Sequence, residues 1–306
     1  LSWLDVLKGI GIILVVIGHV YSNRTVFNWL YSFHMPLFFL AAGWVYKEKS
    51  VLTDIKRRIQ TIVVPYFSFG LLVLLYWQVI ERRFRDSDMG FTDSLFGLFS
   101  GCYDNLDFNV HLWFLPCFFV TVALFNILVN LGGRKFAYIA VVLMSLIYVV
   151  LPMPELPWGI NRVFKYIGFY AVGVILAGRE TRIVDRKIRT GTVAVVLIIS
   201  NFFLSLHNLT TGIMWFVTAF IGVAAMILIY PAFCIADNAR EMYDSAYDIP
   251  EDRAEMPVGT VGSEYVKTVY ALDVYDTISA YEGDVMIIHG INDSLVPYSY
   301  SEKAIE

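Results

Sequence analysis

The sequence predicts an all-α polytopic membrane protein with about eight transmembrane helices, followed by a small acidic tail. Its 306 residues are 58% hydrophobic and only 16% charged, with a mean hydropathy of +0.62. An average soluble domain is about a quarter charged. Long apolar stretches recur from Ile10 to about Tyr230, and several approach the ~20 residues that a membrane-spanning helix needs. This pattern excludes an ordinary soluble enzyme for most of the chain.

Hydropathy and helix-breaking residues place the individual spans. The first two apolar segments are separated only by the short segment 22–26, which predicts a helical hairpin. Gly132–Gly133 and the proline-containing segment 152–157 mark turns between later spans. The predicted spans are 6–22, 27–46, 61–80, 112–131, 136–152, 162–178, 191–206 and 212–230.

The charges divide the chain into two pieces. Residues 1–236 contain 19 Lys and Arg against 12 Asp and Glu, whereas residues 237–306 contain 4 against 15. We therefore predict a transmembrane domain over 1–230 and a separate acidic fragment over 231–306. The basic residues lie in short loops between spans rather than on one face, which argues against nucleic acid as a partner.

The basic loops also predict the orientation of an integral protein in a bacterial-type plasma membrane, because cytoplasmic loops carry an excess of Lys and Arg. The loops after the second, fourth and sixth spans are the basic ones. With eight spans, the N-terminus and the tail are then both cytoplasmic. The residues concerned are Lys47, Lys49, Lys56, Arg57, Arg58, Arg134, Lys135, Arg179, Arg182, Arg186, Lys187 and Arg189.

The three cysteines do not indicate a metal site or a disulfide framework. Cys102, Cys117 and Cys234 lack the spacing of metal ligands. We therefore predict no metal.

Ionisable side chains within the first span are candidates for function, since they are costly inside a membrane. Lys8 and His19 are eleven positions apart, so they share one helix face at about 16 Å separation. Alternatively, Lys8 extends to the interface and His19 is satisfied by a neighbouring helix; for His19 we favour function. Asp5 either orients a base or pairs with Lys8, and the sequence does not decide.

The second span adds His34, in the run Phe33-His-Met-Pro-Leu-Phe-Phe39. The predicted hairpin places His34 roughly level with the far end of the first span, near His19. Two imidazoles at similar depth can share acid–base chemistry, because histidine titrates near neutrality. A purely structural histidine that bonds a backbone carbonyl is the equal alternative.

Several ordered motifs together resemble the acyltransferase 3 family, in particular its fucose 4-O-acetylase-like branch. A basic residue, ten others and then His are found at Lys8 and His19, with Lys where Arg is commoner in the family. The resemblance covers residues 1 to about 230. The other matching segments are Phe33-His-Met-Pro-Leu-Phe-Phe39, Lys56-Arg-Arg58 with Pro65-Tyr66, His111-Leu-Trp-Phe-Leu-Pro116 and Tyr166-Ile-Gly-Phe-Tyr-Ala-Val-Gly173.

The resemblance implies a membrane O-acyltransferase that moves an acetyl group from acetyl-CoA to a hydroxyl of a cell-surface carbohydrate. It implies that His19 is the catalytic base or part of the acyl relay. His34 and Asp5 are further catalytic candidates because of their positions in the first two spans. Lys8 and the cluster Lys56, Arg57 and Arg58 would hold CoA phosphates, although the positive-inside rule alone also explains a basic loop. His111 and Trp113 are candidates for contact with the acceptor, and packing at the membrane interface is the alternative for both.

The tail resembles the C-terminal part of an α/β hydrolase of the serine-esterase kind, over residues about 229–306. The run Asp284-Val-Met-Ile-Ile-His-Gly290 reads as a strand, and Asp293 occupies the place of the triad acid. No Gly-x-Ser-x-Gly elbow precedes this acid and no His follows it, so we predict a vestigial fragment without hydrolase activity. Because the family usually has ten spans, we expect a chimera whose transmembrane domain is truncated at both ends; a regulatory tail is the alternative.

Two other classes of function compete with the acyltransferase. A transporter or flippase would also use intramembrane His and Lys residues, as a proton relay. However, the two similar, broken-helix halves typical of many transporters are not visible in the sequence. An esterase is suggested by the tail alone and lacks a nucleophile. The partners predicted are therefore the lipid bilayer, acyl-CoA and a carbohydrate acceptor.

Overall fold

The computed structural model describes residues 2–20, 23–84, 90–177, 187–206, 212–229, 242–256 and 259–270, and these residues are mostly helical. The α-helices are α1 Ser2–Val20, α2 Arg24–Trp44, α3 Val51–Arg58, α4 Val64–Val79, α5 Phe91–Ser100, α6 Phe114–Val150, α7 Ile160–Leu176, α8 Lys187–Leu206, α9 Gly212–Ile229 and α10 Ser263–Tyr270. A π-helix, Ile59–Val63, joins α3 to α4. Short 3₁₀ helices cover Glu81–Arg83, Tyr103–Asn105, Val110–Trp113 and Pro157–Gly159.

A helix lies at each of the eight predicted span positions. Among the described residues, three helical stretches are long and apolar enough to cross a membrane: Val51–Arg83, Val110–Val150 and Pro157–Leu176. Shorter apolar helices cover Leu7–Val20, Val193–Leu206 and Gly212–Leu228. The helices are therefore confirmed, whereas eight membrane crossings and their orientation stay predictions.

Helix α6 contains the turn that the sequence predicted at Gly132–Gly133. Gly133 has φ 75° and ψ 176°, a conformation that interrupts the helix and that L side chains rarely adopt. The rings of Phe125 and Tyr138 lie 6.2 Å apart. In a straight helix these two residues would be about 20 Å apart along the axis. The two halves of α6 therefore fold back on each other at Gly133, and they lie at the positions of the fourth and fifth predicted spans.

The chain forms two compact units, residues 1–41 with 176–306 and residues 42–175. In the first unit, a buried polar network links α2, α8 and α9. Asn201 donates through Nδ2 to the carbonyl of Thr218 at 2.8 Å and to the hydroxyl of Ser32 at 3.2 Å. All three residues are buried. Because a polar group on an apolar helix must find its partner inside the protein, these bonds select how the helices pack.

The second unit contains a helix that the sequence analysis missed. α5 lies in the segment between the third and fourth predicted spans. The backbone N–H of Gly90 donates to Asp93 Oδ2 at 3.1 Å where α5 begins, and Gly101 ends it with φ 63°. The hydroxyl of Tyr66 on α4 donates to the carbonyl of Leu98 at 2.6 Å, which joins α5 to α4. A buried cluster surrounds this bond and consists of Tyr66, Leu74, Trp77, Leu98, Leu106, Phe108 and Leu112.

The described part of the tail contains a small antiparallel hairpin that the sequence did not predict. Its strands are β1 Arg253–Met256 and β2 Gly259–Gly262, with Arg253 opposite Gly262, and α10 follows directly. The predicted strand 284–290 and the predicted vestigial acid Asp293 lie outside the described residues. The hydrolase-like fold of this fragment and the domain boundary at 230 therefore stay predictions.

We predict that Gly43→Ala destabilises the second unit by about 1–3 kcal/mol, because overpacking forces neighbouring groups apart. A Cβ at Gly43 would overlap the backbone carbonyl of Tyr170 on α7, which cannot move like a flexible side chain. The measurement is the apparent thermal unfolding midpoint of the full chain in detergent, which should fall by several degrees. Gly9→Ala is the matched control, since no atom lies within 4 Å of a Cβ there. Equal midpoints for the two variants would contradict the close helix contact.

Candidate functional site

His34 is held in one tautomer inside the first unit. It lies on α2, is 1% exposed, and its Nδ1 is 2.6 Å from the carbonyl oxygen of Leu30 one turn earlier. A carbonyl oxygen can only accept a hydrogen bond, so Nδ1 must carry the proton. In the neutral ring Nε2 then keeps its lone pair. The arrangement provides a base nitrogen at a fixed position.

Tyr31 connects His34 with His19 on the neighbouring helix. Its hydroxyl oxygen lies 2.8 Å from Nδ1 and 3.1 Å from Nε2 of His19. Its ring meets His34 edge-on, with 4.6 Å between the ring centroids. His19 itself is exposed in the last turn of α1. The α1–α2 hairpin therefore brings together the two histidines that the sequence placed at similar depth, with a tyrosine between them.

Two further contacts hold the Tyr31 ring in place. Phe27, one turn earlier on α2, stacks on it with 3.9 Å between centroids. On α1, a Cβ at Gly18 would lie 3.2 Å from the Tyr31 ring, so glycine allows the hydroxyl to reach His19. Sequence reasoning missed Tyr31, although its place three residues before His34 puts both on one helix face.

The remaining site candidates of α1 lie away from this cluster. Lys8 is half-buried and three turns before His19, about 16 Å along the helix. Asp5 lies on α1, but its side chain is outside the part that the structure describes. Lys8 is therefore too far along α1 to form an ion pair or a hydrogen bond with His19.

The predicted cofactor-binding residues on α3 differ in their surroundings: two are exposed, and one is held in an ion pair. Lys56 and Arg57 are exposed. Arg58 instead donates through Nε to Oδ2 of Asp54 at 2.7 Å, and Asp54 is 3% exposed. The i,i+4 spacing on one helix face produces this ion pair. Arg58 is thus bound by a partner within α3, and the two exposed residues are the ones that a soluble cofactor can reach.

A second set of bonds fixes the segment that leads into α3. Asn126 on α6 accepts a hydrogen bond from the hydroxyl of Tyr46 at 2.9 Å and donates to the carbonyl of Lys49 at 3.1 Å. Asn130 donates to the same carbonyl, also at 3.1 Å. The position of α3 relative to α6 therefore depends on two asparagine side chains.

The predicted acceptor residues lie on the 3₁₀ turn before α6, also in the second unit. His111 is exposed, and Trp113 is half-buried. The Trp113 ring stacks on Tyr166 of α7 with 6.0 Å between centroids, and the guanidinium of Arg162 lies 4.7 Å from the Trp113 centroid. Sequence reasoning missed Arg162, although a charge inside the predicted span 162–178 was a signal of function by the criterion applied to the first span.

Among the described residues, no group of three or more His, Cys, Asp or Glu side chains is placed to hold a metal ion. That observation concerns those residues alone, and the expectation of no metal stays a prediction.

Comparison with known proteins identifies the family. A family model described as an acyltransferase domain matches residues 1–247. The chain therefore belongs to the acyltransferase 3 family, which confirms the resemblance found in the sequence and indicates a membrane enzyme of the acyltransferase type. No curated protein and no solved structure matches the chain. The hydrolase-like resemblance of the tail has no support from these comparisons.

We predict that Arg58→Gln lowers the stability of the protein by about 1–3 kcal/mol, because it leaves the buried Asp54 carboxylate without its partner. Arg57→Gln, one residue earlier, removes an exposed charge of the same kind and should leave stability within about 0.5 kcal/mol of the parent. The thermal unfolding midpoints of the two variants in detergent give the comparison. A loss of stability for Arg57→Gln equal to that for Arg58→Gln would contradict the assigned ion pair.

Proposed function

We propose that this protein transfers an acetyl group from acetyl-CoA to a hydroxyl of a cell-surface carbohydrate. The observation that carries the proposal is the His19–Tyr31–His34 cluster, in which one imidazole has a fixed tautomer and the other is exposed. Acyl transfer to a sugar requires a base, since a sugar hydroxyl is a poor nucleophile. The family supplies the class of reaction, and the cluster supplies the acid–base groups.

In the proposed reaction, His19 takes the proton from the acceptor hydroxyl as the oxygen attacks the thioester carbonyl. The carbon–sulfur bond then breaks, and the thiolate leaves as CoA, which takes up the proton from the imidazolium. The products are the O-acetylated sugar and free CoA. Since His19 is exposed and His34 is buried, His19 is the imidazole that meets the substrate.

Tyr31 and His34 support this base. The Tyr31 hydroxyl lies within hydrogen-bond distance of both His19 nitrogens, so it restrains the ring against rotation. An oriented base avoids the cost of positioning at the moment of reaction. His34 provides a second base at the other side of the Tyr31 ring. Asp5, three positions before Lys8 on α1, remains a candidate to pair with Lys8.

The acyl donor is proposed to bind at the basic residues of α3. CoA carries several phosphate charges, and exposed cationic side chains attract such a ligand. Lys56 and Arg57 meet this requirement because both are exposed. If eight helices cross the membrane with the N-terminus and tail inside, Lys56 and Arg57 face the cytoplasm, where acyl-CoA is made, and His111 and Trp113 face the acceptor.

We expect His19→Ala to lower acetyl transfer by at least about 100-fold, the range typical of losing a positioned base. The assay follows label from acetyl-CoA into carbohydrate in membranes that contain the full chain. His34→Ala should also lower the rate strongly, because it removes the second imidazole. His289→Ala is the control, since His289 lies beyond the residues that match the family.

Wild-type rates in a stably inserted His19→Ala variant would contradict the proposed base. No transfer with any version, including one with further C-terminal spans of the family added, would contradict the transferase function itself.

We expect the double variant Lys56→Gln/Arg57→Gln to raise the KM for acetyl-CoA by roughly 10-fold with little change in kcat, since each lost phosphate contact costs about 0.5–1 kcal/mol at an exposed site. The thermal midpoint should not move. Lys135→Gln is the matched control because it removes an exposed charge from another basic loop. A KM for the double variant equal to that of the control would place the donor elsewhere.

A further inference from the structure

Arg162 is the centre of a cationic, aromatic cluster in the second unit. It lies in the first turn of α7, and its Nη2 donates to Oε2 of Glu155 at 3.2 Å. Its guanidinium carbon lies 4.5 Å from the ring centroid of Tyr103 and 4.7 Å from that of Trp113. Three separate segments of the chain thus converge on one guanidinium.

One donor of this guanidinium is buried and unused. Nη1 of Arg162 is buried and has no hydrogen-bond partner among the described residues. Aromatic rings offset part of the cost of burying a cation, but they do not replace a hydrogen-bond acceptor. An unpartnered charged donor needs an acceptor from outside the described residues, such as a water molecule, an ion or a ligand.

Glu155 accepts three hydrogen bonds, and none of them comes from Nη1 of Arg162. Its Oε1 accepts from the backbone N–H of Tyr103 at 3.1 Å, and its Oε2 accepts from Nδ2 of Asn161 at 3.1 Å as well as from Arg162. Because Nη1 belongs to a cationic guanidinium, the acceptor that matches it best is anionic.

The turn before α7 is rigidly built. Trp158 has φ 57°, a left-handed conformation that is unusual for a tryptophan, and its Nε1 donates to the carbonyl of Phe99 at 3.0 Å. Such backbone strain persists where the surroundings overdetermine it, commonly at ligand sites. The strained residue Trp158 lies in the short segment that connects Glu155 to Arg162 and fixes their relative positions.

We propose that Arg162 binds an oxyanion, either a carboxylate or a phosphate, carried by the carbohydrate acceptor. The proposal rests on the proposed function for the statement that the ligand is the acceptor. A planar guanidinium is well suited to carboxylate and phosphate oxygens. Tyr103, whose ring covers the guanidinium, is 41% exposed, so the oxyanion reaches Nη1 when this ring turns aside. Trp113 joins Arg162 to the motif that the sequence assigned to the acceptor.

The test measures binding of three sugars to the full chain in detergent by equilibrium dialysis, without any acyl donor. The probes are methyl glucuronide, glucose 1-phosphate and neutral methyl glucoside. We expect one of the charged sugars to bind at least about 10-fold more tightly than the neutral one, and its identity distinguishes carboxylate from phosphate. Arg162→Gln should remove this preference. Arg82→Gln should retain the preference, because Arg82 does not belong to the Arg162 cluster. It is a matched control, since Arg82 also lies over a tryptophan ring in the same unit, 5.4 Å from the Trp77 centroid.

Equal binding of all three sugars by the parent chain would overturn the proposal, as would an unchanged preference in Arg162→Gln. If Arg162→Gln does not fold, Arg162→Lys takes its place, because lysine keeps the charge but lacks the planar fork. Its preference for the charged sugar must then fall several-fold, and an unchanged preference overturns the proposal. The binding assay contains no acyl donor, so its result does not depend on acetyl transfer. If the chain binds the charged sugar selectively but transfers no acetyl group, only the proposed function is contradicted.

Discussion

A polar side chain on an apolar helix must find its partner inside the protein, and this constraint organises both units. In the first unit, Asn201 joins α2 to α8 and α9 because its amide is fully buried and needs a partner within the protein. The same requirement gives His34 its single tautomer. In the second unit it pairs Asp54 with Arg58 and directs the Tyr66 hydroxyl to a backbone carbonyl. Buried polar groups thus set the packing in both units.

Much of the fold could be predicted because long apolar runs and glycine positions are local signals. The helices at the eight predicted span positions and the reversal at Gly133 follow from these signals. The short α1–α2 connection likewise predicts the meeting of His19 and His34. In contrast, α5 was missed because its ten residues mix polar and apolar side chains and are too few for a span.

The candidate site was less predictable, since it depends on partners far apart in the sequence. The resemblance assigned Arg58 to a cofactor, although its i,i+4 spacing from Asp54 is itself a signal of an ion pair. Arg162 depends on Tyr103 and Trp113, which lie 59 and 49 residues earlier, and no local pattern joins them. Nothing in the sequence distinguishes Tyr31 from the other tyrosines of the apolar helices. Only the structure shows its hydroxyl within hydrogen-bond distance of His19.

The reversal in α6 also has a mechanical consequence. A single residue, Gly133, separates the two halves, and consecutive Cα atoms are only about 3.8 Å apart. Neither half can therefore slide along its axis by a full helical turn unless the other half slides with it. Asn126, which positions the segment before α3, lies on the first half. If the second half moves along its axis, the first half and Asn126 move with it. Because Asn126 is hydrogen-bonded to Lys49, this movement also displaces the segment that leads into Lys56 and Arg57.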